Sequence, residues 1–375
     1  MIHLRSSRAD IARAAEILKN GGIAAFPTET VYGLGADAFN SRALARVFEA
    51  KARPRFDPLI IHIASLDTLE RVVKTEALDG RQKSLLEKCA GAFWPGPLTL
   101  VLPKRSGLPD LATAGLPTAA IRFPSHPAAQ QLIALSTGAV AAPSANPFGR
   151  LSPTRAEHVI EGLGDKIDCI VDGGPSPVGV ESTVLELSPV PRILRPGGIS
   201  REQLELVIGP VKDCFQGPDL KDAGSSCDRD NPAETSMLSP GMLQSHYAPG
   251  IPLFLHSPQA MAALPYRGNE GYLFFSGKTR DAWLDQITAG HIPGLSRNFV
   301  TSRTPPMPKT ILVLSEPGNV TEAASNLFEY LHVLEKSGVP CIHAETLPGE
   351  ELGMAVNDRL RRASVKSSAL FTGFG

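Results

Sequence analysis

Cysteine is scarce and scattered: five among 375 residues, at 89, 169, 214, 227 and 341, with no C-x-x-C pair. That spacing indicates neither a disulfide framework nor a paired-cysteine zinc cage. Charge of one sign is also missing, since 37 Lys+Arg against 38 Asp+Glu leave a formal net charge of -1. A protein living on nucleic-acid backbones normally shows a strongly basic balance, so only a local basic pocket is left open. Long apolar runs are absent. The strongest, around Leu59 to Ile63, falls far short of the ~18 to 20 residues that span a bilayer. The opening MIHLRSSRAD has no apolar core and no small-residue cleavage site before an amphipathic helix begins, so a cytoplasmic protein without membrane association is expected. No H-E-x-x-H pair and no G-x-S-x-G elbow occurs, which removes the main support for a metalloprotease or a serine hydrolase.

What is present is ordinary globular material, with 42% apolar and 20% charged residues, in a chain too long for one core. Composition shifts once, between about Pro210 and Pro249, into a polar Gly/Ser/Asp-rich stretch. We therefore expect one domain over 1–208, a linker over 209–250, and a C-terminal domain over 251–375. In the first part, apolar Ile11, Ala14, Ala15 and Leu18 mark a helix over Ala9 to Lys19 with Ser7 as N-cap. Short apolar runs predict strands at 22–26, 59–63, 98–102, 119–122, 169–172, 182–187 and 192–194, and a helix is expected at 41–49. Several of these strands follow one another without a helix, which favours a mixed, twisted sheet with flanking helices. The C-terminal part alternates regularly, with strands at 252–256, 271–275, 310–314 and 339–344 and helices at 323–336 and 351–363. That pattern predicts a smaller, Rossmann-like parallel α/β domain.

Two phosphate-loop lookalikes fail on context. Gly33-Leu34-Gly35-Ala36-Asp37-Ala38 matches G-x-G-x-x-A, but six residues separate its first glycine from the preceding apolar run. Gly277-Lys278-Thr279 lacks the earlier glycine of a P-loop, and a turn after a strand is expected there.

The chemistry concentrates in Pro/Gly corners beside apolar strands: PTETVYGLG (27–35), KARPRFDPLIIHI (51–63), FWPGPLTLVL (93–102), TAAIRFPSHP (118–127), APSANPFGRLSPT (142–154), DGGPSPVGVESTV (172–184) and ILRPGGIS (193–200). Such loops, held by rigid strands, are where sites are built. Lys51, Arg53 and Arg55 alternate, so in an extended conformation they would share one face suited to phosphate. Arg122 and Arg195 lie in similar corners. Thr28, Thr30, Ser144, Asn146, Ser182 and Thr183 supply neutral donors and acceptors. With no activated nucleophile, the set points to catalysis by orientation and electrostatic stabilisation.

These motifs, in this order and together with SPGMLQSHYAP (239–249) and GMAVNDRLRRAS (353–364), resemble the YrdC-type threonylcarbamoyl-AMP synthase family in its long two-domain form. The resemblance implies that L-threonine, bicarbonate and ATP give threonylcarbamoyl-adenylate and pyrophosphate, for later transfer to tRNA by other proteins, with transient tRNA contact. It implies a threonine site of Thr30, His62, Arg122, Ser182 and the backbone near Ala142. It implies an ATP site of Arg53, Asp57, Thr118, Ser144, Asn146, Ser152, Arg195 and Tyr247, the last carried on a lid. Lys51 and Arg53 would neutralise the reacting phosphates, and Mg²⁺ would be held through those phosphates, with no dedicated protein metal site. Two positions depart from the family pattern: Ala52 stands for a usual glycine and Asp57 for a usual asparagine. The competing reading is an RNA-binding module without ATP chemistry.

Overall fold

The structure is a computed structural model that describes residues 1–214, 246–289 and 310–371. Most of the polar linker, Cys227 and the SPGMLQS part of the second motif lie outside the described residues. These divide into two compact units: one holds Met1–Phe148 and the residues from Ser152 to Cys214, the other Gly149–Leu151 and the residues from 246 onward.

The first unit runs β1(Ile2–Arg5), α1(Arg8–Lys19), β2(Ala24–Phe26), β3(Gly33–Asp37), α2(Ser41–Lys51), β4(Ile60–Ile63), α3(Leu69–Val72), α4(Gly80–Phe93), β5(Leu98–Pro103), α5(Asp110–Thr113), β6(Thr118–Arg122), α6(Pro127–Leu135), β7(Ala139–Ala141), α7(Ala156–Leu163), β8(Cys169–Asp172), β9(Thr183–Glu186), β10(Arg192–Arg195), α8(Arg201–Ile208) and β11(Lys212–Asp213). Its eleven strands form one mixed sheet in the order β1-β8-β2-β3-β7-β4-β6-β5-β9-β10-β11. Helix α1 starts at Ser7, whose side chain accepts from the Asp10 amide, and buries Ile11, Ala14, Ala15 and Leu18. Ile11 and Leu18 contribute about 1.5 to 3 kcal/mol each by leaving water.

Strand alternation decides what the two faces of this sheet carry. In β4, Ile61 and Ile63 join the main core, as do Ala119 and Ile121 of β6 and Leu98, Leu100 and Leu102 of β5, against helices α2, α4, α7 and α8. The intervening residues must then point to the other face. There, α1 and α6 cover Phe26 and Val140, and a small apolar patch of Val101, Val184 and Leu194 lies farther along the sheet. Between the two patches the same face carries His62, Arg122 and Thr99.

The Gly33-Leu34-Gly35 segment is strand β3, not a phosphate turn. A Cβ at Gly35 would stand 2.6 Å from Val140 and 2.7 Å from the Phe26 ring, so packing, not a ligand, requires this glycine.

The second unit contains β12(Leu253–His256), α9(Pro258–Ala262), β13(Gly271–Ser276), α10(Gly277–Ala289), β14(Ile311–Ser315), α11(Val320–Lys336), β15(Ile342–Glu345) and α12(Gly353–Phe371). Its four strands are all parallel, in the order β12-β15-β13-β14. The Gly-Lys-Thr segment expected to be a turn instead opens α10. The Ser276 hydroxyl accepts from the Thr279 amide, and the Thr279 hydroxyl donates to Glu345, which starts the helix without a loop.

Candidate active site

Across the centre of the large sheet, His62 of β4 pairs in register with Arg122 of β6, and Arg122 with Thr99 of β5. Residues opposite one another on adjacent strands share a face, so three polar side chains form one row. All three are at most 4% exposed. Loops complete the row. Glu29, from PTET, places Oε1 2.8 Å from Nη2 of Arg122, and both side chains are buried. The Arg122 Nε–H is directed at the Gly96 carbonyl, 3.4 Å away. On the other side Thr99 Oγ1 lies 2.8 Å from Ser182 Oγ, and Arg195 donates to the Ser182 carbonyl at 2.9 Å and to its hydroxyl at 3.2 Å.

The loops that supply these groups are tied together by backbone. Val178 donates to Glu29, Tyr32 to Pro153, Ala145 to Tyr32 and Ser176 to Thr154. The Tyr32 hydroxyl donates to Gly174 at 2.7 Å. In ILRPGGIS, a Cβ at Gly197 would lie 2.3 to 2.4 Å from the backbone of 181–183. Only glycine lets the two loops approach this closely.

A second group of charges gathers around the end of α2. Lys51, 1% exposed, donates its ammonium to the carbonyls of Ser144, at 2.6 Å, and Asn146. Arg53 donates to the carbonyls of Asp57 and Pro58 and places Nη2 2.8 Å from the Asp57 carboxylate. Burial, with Arg53 beside it, pushes the Lys51 ammonium well below the usual lysine range. Burial also raises Asp57, against the pull of Arg53, Lys51 and Arg195. An aspartate at this position therefore faces a neighbouring arginine, which reduces its repulsion of phosphate.

The extended arrangement expected for Lys51, Arg53 and Arg55 does not occur. Lys51 is the last residue of α2, Ala52 caps it in the left-handed conformation (φ 52°), and Arg55 is exposed. A helix end followed by a left-handed residue turns the chain, so alternation no longer selects a face. The left-handed region costs a non-glycine residue roughly 1 kcal/mol. Ala52 is exposed, and Ala52→Gly is expected to raise unfolding free energy by about 0.5 to 1 kcal/mol with activity unchanged. A loss of stability in urea denaturation would contradict this account of the cap.

The remaining nominated residues separate by what they touch. Thr30 is fully buried, with its hydroxyl 2.8 Å from that of Thr28, which also donates to the Val31 carbonyl. Thr28 is thus engaged in holding its own turn. Thr183 exchanges hydrogen bonds with Ile199 and anchors the glycine corner. The Ala142 amide donates to Ile60. Asn146 donates to the Pro147 carbonyl, and Ser152 to the buried Glu181. Thr118 begins β6, on the same face as Arg122 but four residues away, roughly 13 Å along the strand. Tyr247 lies in the second unit, 2% exposed, with its ring 5.9 Å from Phe328 and under the Arg359 guanidinium at 5.1 Å.

His62 is neutral at ordinary pH. Burial, reinforced by the Arg122 charge, pushes its imidazole down to about 3. The unfolded chain takes up this proton near pH 6.5 while the folded chain refuses it until about pH 3. The resulting destabilisation is absent above pH 6.5 and grows as pH falls toward 3. Between pH 7 and pH 5 it amounts to about 2 kcal/mol. Urea unfolding of His62→Gln is expected to lose that much less stability over the same interval. Parallel curves for the two proteins would show that His62 titrates normally in the fold.

Three members of the constellation were not nominated from sequence: Glu29, Thr99 and Glu181. Thr99 had a signal, because it interrupts one face of the alternating LTLVLP. Glu29 and Glu181 sit inside PTETVYGLG and DGGPSPVGVESTV, but only the fold shows their partners, Arg122 and Ser152.

Comparison with known proteins shows what the chain is similar to. The Sua5–YciO–YrdC family model, described as "Telomere recombination", matches residues 16–197, and the model "Threonylcarbamoyl-AMP synthase, C-terminal domain" matches 199–365. The chain is similar to the threonylcarbamoyl-AMP synthases of Bacillus subtilis, at 38% identity over 96% of this chain and 94% of that one, and of Pyrococcus abyssi, at 40% over 94% and 93%. The crystal structure of P. abyssi Sua5 complexed with L-threonine superposes with a TM-score of 0.76 at 38% identity, covering 97% of each chain.

Proposed function

The chain belongs to the threonylcarbamoyl-AMP synthase family, and we propose that the polar row of its large sheet is where it performs the family reaction. L-Threonine, bicarbonate and ATP yield threonylcarbamoyl-AMP and pyrophosphate. The observation that carries the assignment is the buried Arg122–Glu29 pair at 2.8 Å, adjoining Thr99, Ser182 and Arg195. A paired guanidinium and carboxylate match the two charges of an amino-acid zwitterion. Threonine's carboxylate takes Arg122, a planar fork suited to bidentate contact, and its ammonium takes Glu29. Thr30, Ser182, neutral His62 and the Ala142 backbone surround the side chain and hydroxyl.

ATP is assigned to Arg53, Asp57, Thr118, Ser144, Asn146, Ser152 and Arg195. Lys51 and Arg53 serve the phosphates. Threonine's ammonium gives up a proton, the amine condenses with bicarbonate with loss of water, and the carbamate oxygen attacks the α-phosphorus in line as the bond to the β-phosphate breaks and pyrophosphate leaves. Because Lys51, Arg53 and Arg195 all bear on Asp57, cations supply charge neutralisation for that step.

Mg²⁺ fits as a passenger on the phosphates. Asp57 faces a guanidinium and is influenced by two further cations, so this carboxylate is a poor seat for a dication. When bound, the ion offsets polyphosphate charge. The product is taken up by proteins that modify tRNA, with transient tRNA contact, in the cytoplasm. Among the described residues no helix is long and apolar enough to cross a membrane.

The test is pyrophosphate release from ATP by the purified full chain, with bicarbonate and without RNA. Release that requires threonine is the expected result. Release independent of threonine would overturn the threonine assignment, and RNA binding with no pyrophosphate would favour the RNA-module reading instead.

A further inference from the structure

The second unit carries a cluster that the synthase reaction does not use. Cys341 immediately precedes β15 and His343 is its second residue, so with one residue between them both side chains project from the same face. Gly271 of β13 pairs with Ile342 of β15, which brings Glu270 beside Cys341. The Cys341 Sγ, His343 Nε2 and a Glu270 oxygen all lie within 4.8 Å of one another. His343 Nε2 is 3.2 Å from Glu270 Oε2 and 3.8 Å from Cys341 Sγ.

From these positions we propose that Glu270, Cys341 and His343 form a zinc site, with a fourth position left for water. Zinc takes mixed thiolate, imidazole and carboxylate ligands in tetrahedral geometry. The usual bond lengths then put an imidazole nitrogen about 3.4 Å from a carboxylate oxygen and about 3.6 Å from a thiolate sulfur. The observed separations lie within a few tenths of an ångström of both.

The surroundings are those of a held ligand set. The His343 ring stacks between Phe254 and Tyr272, each 5.5 Å away between centroids. Its Nδ1 lies 2.9 Å from His256 Nε2, the kind of outer contact that fixes a ligating imidazole's tautomer and leaves Nε2 free to coordinate. Glu270 Oε1 is taken by Arg267 at 3.3 Å, while Oε2 lies 3.4 Å from the Tyr272 hydroxyl and faces the cluster. Without a metal, the Cys341 thiol and the His343 imidazole both turn to the Glu270 carboxylate; with one, all three direct lone pairs at a common centre. The absence of a C-x-x-C pair conceals such a site, because its third ligand comes from another strand.

The experiment titrates the chelator-treated full chain with Co²⁺, then displaces it with Zn²⁺. One ion per chain is expected, with a thiolate-to-cobalt charge-transfer band that Cys341→Ser abolishes and Glu270→Gln weakens by about 10- to 100-fold in affinity. Threonine-dependent pyrophosphate release should persist in both variants. X-ray absorption of the zinc-loaded wild type needs no variant and should show one sulfur neighbour at about 2.3 Å. No charge-transfer band in the wild type, a band retained in Cys341→Ser, or a zinc shell without sulfur would each overturn the site. None of these outcomes depends on the synthase assignment.

Discussion

Arg122→Ala is expected to lower kcat/KM for threonine by about two to three orders of magnitude, with KM for ATP changed by no more than a few-fold. Truncating one partner of a buried, hydrogen-bonded charge contact costs roughly 2 to 5 kcal/mol, and in the proposed site the substrate's carboxylate is that partner. The ground state complicates the single variant. Arg122 already pairs with Glu29, and both are buried, so removing the guanidinium strands a carboxylate at roughly 3 to 5 kcal/mol of stability. The double variant Glu29→Gln/Arg122→Ala relieves that penalty, and its stability should recover while threonine-dependent turnover does not. Arg122→Lys keeps the charge but loses the fork, so an intermediate loss is expected. Steady-state kinetics on the three proteins would refute the threonine assignment if the double variant regained activity, or if ATP saturation suffered more than threonine saturation.

The second large effect concerns the cations at the end of α2. Lys51→Met and Arg53→Gln are each expected to reduce pyrophosphate release by about 100-fold or more: Arg53→Gln removes a fixed charge set against the polyphosphate, and Lys51→Met removes an amine that burial depresses in the free protein and that bound polyphosphate would keep protonated. The two should differ in their side effects. Lys51 donates to the carbonyls of Ser144 and Asn146, so its loss also leaves buried acceptors unpaired, at roughly 1 to 3 kcal/mol of stability. Arg53 is paired with Asp57, and Asp57→Asn should act in the opposite sense, lowering KM for ATP by releasing Arg53 toward phosphate. Full pyrophosphate release by both cation variants would end the phosphate assignment. A weakened ATP affinity in Asp57→Asn would show that the carboxylate holds Arg53 in its working position.

The corrections follow from the range over which sequence patterns act. Alternation holds only while the backbone stays extended. In the structure it sets Ile61 against His62, and Leu98 and Leu100 against Thr99, but it fails for Lys51, Arg53 and Arg55 because Ala52 turns the chain. The Gly-Lys-Thr segment followed a real strand, yet the serine before it was free to cap a helix. The short strands Ile2–Arg5, Gly33–Asp37 and Ala139–Ala141 were not read from sequence. They exist as strands because neighbours supply their hydrogen bonds.

By itself, the sequence determined the mixed and parallel sheet classes and the polar loops beside apolar strands. Periodicity and turn chemistry are local, and a chain encodes them within a few positions. Only the tertiary structure decided which partners the polar residues meet. Arg122 faces Glu29 across 93 positions and Lys51 reaches the carbonyl of Asn146 across 95, while Cys341 meets Glu270 only because β15 inserts beside β13. Strand order and register set these meetings, and both depend on how distant segments bury their apolar faces together.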